Sequence, residues 1–192
     1  MSLLELIAAA DERGLAASAV ACLDRCLPQP ADGADPDPLR PLWAGCADGS
    51  VWPERFAQVR AVLDAADTDG AAPRIRKLLT EAPVDRAAPG LREWAHACSL
   101  AALEIHQQFD MPGGDTTADD TDLLRRRRTG DPESGGPLVT GELRRQIQIL
   151  ETLAETTDTA GSGAALRRVV DLSSEGRRVL RAVVSRQARD RA

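Results

Sequence analysis

The sequence contains no tyrosine, and only three Trp and two Phe among its 192 residues. A core so poor in rings has to be assembled from Leu, Ala, Val and Ile, which favours close packing of helices around small side chains. Scarce aromatics also weigh against a surface that stacks nucleobases. Lysine is nearly absent: of 24 basic residues only Lys77 is one. Arg in place of Lys, together with abundant Ala, Gly, Asp and Pro, is what a GC-rich coding sequence produces. Arginine richness is therefore weak evidence for nucleic-acid binding, and a bacterial source is expected.

Long apolar runs are missing as well. Stretches such as GLAASAVACL fall far short of the ~20 apolar residues that span a bilayer, so no membrane role is expected. The opening MSLLELIAAADERG has no basic leading region and carries Glu5 inside its apolar run, unlike a secretory signal. The four cysteines lack framework spacing, which fits reduced thiols and a cytoplasmic location.

Recognisable chemical motifs are absent too. There is no G-x-S-x-G, no H-E-x-x-H, and no phosphate loop ending in G-K-[ST]. A calcium-loop reading of DAADTDGAAPRI puts Arg76 where the loop needs a bidentate glutamate. AGSGAALRR follows no strand and reads as a turn between helices. Cys22 and Cys26 share the apolar face of one helix, while His96 and Cys98, two residues apart, point in nearly opposite directions. No metal and no cofactor are expected.

What is present is helical periodicity and an uneven charge. Residues 1–122 hold 10 basic and 21 acidic side chains, residues 123–192 hold 14 and 9, and the chain as a whole carries −6. An acidic body with a mildly basic end follows. Ser2 and Glu5 form a capping box for a helix over 2–14, with Gly14 as its stop. A second helix runs over 15–27 until Pro28 halts it, and PQPADGADPDP is a proline-broken connector. A short helical turn from Pro38 to Trp43 ends at Gly45. Further helices are predicted over 53–67, 73–82 and 90–109, the last with a stripe of Leu91, Trp94, Cys98, Ala102, Ile105 and Phe109. No alternation marks a strand. Residues 111–137 lose all periodicity and read as a flexible linker, with at most one helical turn at Leu123 and Leu124. Helices over 140–158 and 163–189 then fold back as an antiparallel hairpin.

The predicted architecture is all-α: an acidic helical bundle over 1–110, a flexible linker over 111–137, and a hairpin over 138–192 with a basic end. The second helix of the hairpin is the longer, so part of it should overhang with an apolar stripe that must be covered.

The candidate sites follow. Arg125, Arg126, Arg127 and Arg128 form a guanidinium run fit for phosphate, yet Asp115, Asp119, Asp120 and Asp122 lie just upstream and screen it; it reads first as a solvated joint. The overhang offers Val169, Leu180, Val183 and Val184 as a docking stripe, with Arg181, Arg186 and Arg189 to set orientation. The expected function is a non-enzymatic interaction or regulatory protein that binds a protein partner or a second copy. Nucleic-acid association through the Arg run and the basic end is the first alternative. The second is a helical enzyme with a site near His96, Ser99 and His106, for which Glu93 is the only nearby carboxylate.

Overall fold

A computed structural model describes residues 1–27, 38–65, 72–111, 118–130, 135–155 and 159–190. Among them the chain is all-α, without a strand. The helices are α1 (Leu3–Ala9), α2 (Glu12–Cys26), α3 (Arg40–Ala47), α4 (Trp52–Ala65), α5 (Ala72–Thr80), α6 (Ala88–Asp110), α7 (Ala118–Arg127), α8 (Pro137–Ala154) and α9 (Thr159–Asp190), with a 3₁₀ turn at Gly49–Val51 before α4. None is long and apolar enough to cross a membrane.

The capping box at Ser2 forms: the Ser2 N–H donates to Glu5 and the Glu5 N–H to the Ser2 hydroxyl. The first helix is shorter than its periodicity predicts, however. It stops at Ala9, and Asp11 restarts the chain by accepting the Gly14 N–H at 2.7 Å. Gly14 therefore lies inside α2 and is no stop. An Asp at an N-cap satisfies a helix's first free donors better than a continued turn could.

Helix α2 is the axis of the fold. Every residue from Gly14 to Cys26 is buried, as expected of a helix whose Ala, Val, Leu and Cys side chains leave no polar face. Helices α6, α9, α3 and α8 pack around it, and α1 lies against α8 and α6. Leu143 and Ile149 of α8 and Val169 of α9 lie in the same apolar core as Leu15, Val20 and Leu103. Burying a Leu or Val side chain contributes roughly 1.5–3 kcal/mol, so this shared core ties the last two helices firmly to the first six.

The scarce rings are concentrated in one place. Trp52 and Phe56 of α4 meet Trp94 of α6 edge to face, with centroids 4.7–6.0 Å apart. Trp94 donates to the Leu78 carbonyl at 2.8 Å, which fixes α5 to α6. Gly45 is buried within α3, where a Cβ would stand 3.1 Å from the Trp52 ring; it admits that ring and does not end the helix.

Part of the stretch expected to be a loose linker is ordered. Residues 118–127 form α7, Leu124 is fully buried, and the Leu4 N–H donates to the Arg128 carbonyl at 3.4 Å. Residues 112–117 and 131–134 of that stretch lie outside the described residues, as do 28–37 of the PQPADGADPDP connector and 66–71 of DAADTDGAAPRI. At the second edge of the stretch, Asp110 from the end of α6 accepts the N–H groups of Leu138 at 3.0 Å and Val139 at 2.9 Å. Helix α8 has Gly136 at its N-cap and no side chain of its own to do this. A Cβ on Gly136 would collide with the Asp110 carboxylate, so the missing side chain makes room for a cap borrowed from another helix.

Candidate functional site

Helix α2 is buried on all sides and yet ends in Asp24 and Arg25. Charges taken out of water need partners, and two polar clusters supply them. In the first, Arg25 grips Glu142 of α8 with both arms of its fork, Nη2 to Oε1 at 2.5 Å and Nε to Oε2 at 2.8 Å; both side chains have zero exposure. Gln146, one turn along α8, donates to Glu142 Oε1 at 2.9 Å and accepts the Ser99 hydroxyl of α6 at 2.6 Å. His106 of α6 stands with Nε2 3.6 Å from Glu142 Oε2 and Nδ1 2.7 Å from the Ala102 carbonyl. A carbonyl only accepts, so Nδ1 carries a proton and Nε2 faces the carboxylate.

Burial works to raise the Glu142 carboxyl, but Arg25 and His106 beside it and the donors on its oxygens hold it at about 2. Burial pushes the His106 imidazole below its ordinary value despite the neighbouring Glu142. Burial also pushes the Cys22 thiol up to about 12, so it is a neutral thiol where Arg25 Nη2 meets its sulfur at 3.6 Å.

In the second cluster, Ser173 of α9 donates to Asp24 at 2.7 Å and to the Ala21 carbonyl at 3.2 Å, while Arg177 pairs with Asp24 at 3.1 Å. Where α2, α8 and α9 meet, Gly176 faces the stems of Arg25 and Arg145, and a Cβ there would overlap Arg25 Cδ. The interior is tight. The cavity beside this network is lined by Ser18, Cys22, Arg25, Ser99 and Gln146 and measures about 10 Å³, the space of one water molecule.

The structure treats the predicted residues differently. Ser99 and His106 join the Arg25–Glu142 network; His96 does not, and instead accepts a hydrogen bond from Arg128 Nη2 at 2.8 Å. The Arg run is split. Arg125 is exposed and paired with Asp122 at 2.7 Å, Arg126 is exposed, Arg127 is half-buried, and Arg128 turns inward. Arg125, Arg126 and Arg127 occupy the last turn of α7, where cations suit the negative end of the helix dipole. In the docking stripe, Val169 and Leu180 belong to the core and are not free for a partner. Val183 is half-buried and Val184 is exposed, as are Arg181, Arg186 and Arg189. The positions that pack inward on α9 are Val169, Ser173, Gly176 and Leu180, at spacings of three and four; Arg181, Arg186 and Arg189 face away from them, whereas Val183 and Val184 continue that face three and four residues past Leu180.

Arg25, Asp24, Glu142, Gln146 and Ser173 were not foreseen. Their signal was faint: two opposite charges inside an otherwise apolar helix, and a glutamate next to Leu143 on an apolar face. Among the described residues no three His, Cys, Asp or Glu side chains are placed to hold a metal ion. No family model, curated protein or solved structure matches the chain.

Proposed function

We propose that the chain is a non-enzymatic interaction or regulatory protein that docks onto an acidic protein surface through the outer half of α9. One observation carries this reading. Around Leu180, α9 leaves Val179 at 39% and Val184 at 40% exposure, five residues apart, with Arg178, Arg181, Arg186 and Arg189 beside them, all exposed. None of these arginines has an ion pair among the described residues. Meanwhile Ser99, His106, Glu142 and Cys22 are engaged by one another in a closed interior, so the surface of α9 is better placed to meet another molecule than they are.

The acidic body of residues 1–122 makes a second copy of the chain a fitting partner, since opposite charges orient an encounter. Removing the whole C-terminal segment would take Ser173 and Gly176 out of the core, so point changes are the cleaner test. Sedimentation velocity on the wild type is expected to show association that weakens with salt, and loss of it in Val179→Glu/Val184→Glu with the helical CD spectrum unchanged. A wild type that stays monomeric at low salt and high concentration contradicts docking between copies.

A further inference from the structure

Arg128 is buried to 6% exposure without a carboxylate. Its hydrogen-bond partner is the His96 imidazole, and its Nε is buried with no partner. Arg92, one turn before His96 on α6, also has a buried, unpartnered Nε and makes no ion pair among the described residues. Burying a guanidinium without a counter-charge costs several kcal/mol. Among the described residues the other buried arginine, Arg25, has a carboxylate, Glu142.

Among the described residues the surroundings supply no counter-ion. The groups acting on His96 are Arg128 and Arg92, and burial together with both cations depresses its proton affinity. Those acting on Arg128 are Cys22 of α2 and Arg125 of α7, and the Cys22 thiol is neutral. On α1, which pins the Arg128 backbone, Glu5 is turned to the N–H of Ser2. Arg92 and His96 are half-buried, so the cluster can be reached from solvent. Arg128 is held at both ends, by Leu4 through its carbonyl and by His96 through its guanidinium. A positive cluster fixed in place before a ligand arrives loses little freedom on binding.

From this geometry we infer that Arg128, Arg92 and His96 form a binding site for a small dianionic oxyanion of the phosphate-ester class. Two guanidinium forks match tetrahedral oxyanions, and His96, whose Nδ1 accepts from Arg128, carries its proton on Nε2 as a third donor. A small ligand fits better than a polyanion. The chain's net charge of −6 repels long phosphate backbones, and Trp94, the aromatic residue of α6 nearest in sequence, is buried with Trp52 and Phe56. The inference is independent of docking through α9.

The chain has two histidines, and the second, His106, is an internal control because it belongs to the Arg25–Glu142 network. NMR of the two imidazoles is followed against pH with and without inorganic sulfate, which stays dianionic throughout, and with inorganic phosphate and acetate. Sulfate and phosphate should raise the His96 titration midpoint by about one pH unit or more and leave His106 unmoved. By reciprocity, sulfate should bind more tightly as pH falls through that midpoint. Arg128→Gln and, separately, Arg92→Gln should weaken sulfate binding about tenfold or more, the unchanged His106 signal reporting an intact fold. A His96 midpoint indifferent to sulfate overturns the site. Equal binding of acetate overturns its assignment to dianions, and so does equal displacement of both histidines, which marks nonspecific salt effects.

Discussion

Arg25 and Arg128 are both buried arginines, and they are buried differently. Arg25 lies at the end of the central helix with its fork closed on Glu142, a pair with no exposure at all. Arg128 lies at the end of α7, leaning on a neutral imidazole; each guanidinium leaves one buried nitrogen without a hydrogen-bond partner, Nη1 in Arg25 and Nε in Arg128. Charge neutrality separates the two. A charge matched inside the protein belongs to the fold, whereas an unmatched one beside half-buried neighbours is open to a partner from outside.

The largest effect should come from breaking the matched pair. Glu142→Gln leaves Arg25 buried without its counter-charge and should cost about 3–5 kcal/mol in chemical denaturation. Replacing both partners together, as Arg25→Met/Glu142→Leu, should recover much of that loss, which distinguishes an unpaired charge from a damaged core.

Acid should expose the same pair. The folded Glu142 carboxyl lies at about 2, below the ordinary glutamate value of about 4.3. Its contribution is therefore complete above that ordinary value and is lost as pH falls from there toward about 2. Both histidines are also depressed, mainly by burial. The unfolded chain takes up those protons first, so the stability tied to neutral imidazoles is complete above about 6.5 and drains as pH falls below it. Stability measured against pH should thus decline in two stages, and Glu142→Gln should flatten the lower one.

Gly176→Ala places a methyl group on the Arg25 stem that Glu142 holds fixed. It should cost about 1–3 kcal/mol as overpacking, and less in the Arg25→Met/Glu142→Leu background, where the stem is free to move. Asp110→Ala removes the borrowed cap of α8 and should cost about 1 kcal/mol, read from the denaturation midpoint. Asp110→Asn, which keeps an acceptor oxygen, should recover part of it.

The all-α architecture was legible because apolar residues at spacings of three and four need no knowledge of the partner they face. Leu91, Trp94, Cys98, Ala102 and Ile105 proved buried as that stripe implied. Helix α7 was not legible: its ten residues are dominated by Asp and Arg, and among the described residues Leu124 is its one fully buried side chain. Its end is fixed by α1 and α6, contacts that no local pattern carries. Glu142 stands 117 residues from Arg25, and Asp110 stands 28 from the helix it caps. Partners so far apart in sequence are joined by topology, and each looks like an ordinary surface charge until the fold is known. Val169 and Leu180 were offered to a partner for the same reason. Periodicity put Val169 and Leu180 on one face of α9, but it could not tell that α2 already covers that face near Ser173.

The contrast between the two arginines is tested most directly by measuring the unfolding free energies of Arg25→Met and Arg128→Met side by side, without added anions. Arg25→Met strands Glu142 in the core and should lose about 3–5 kcal/mol. Arg128→Met removes an uncompensated charge and should change stability by less than about 1 kcal/mol, or raise it. A loss at Arg128 as large as that at Arg25 would contradict the account, because it would mean that this guanidinium, too, is held by the fold.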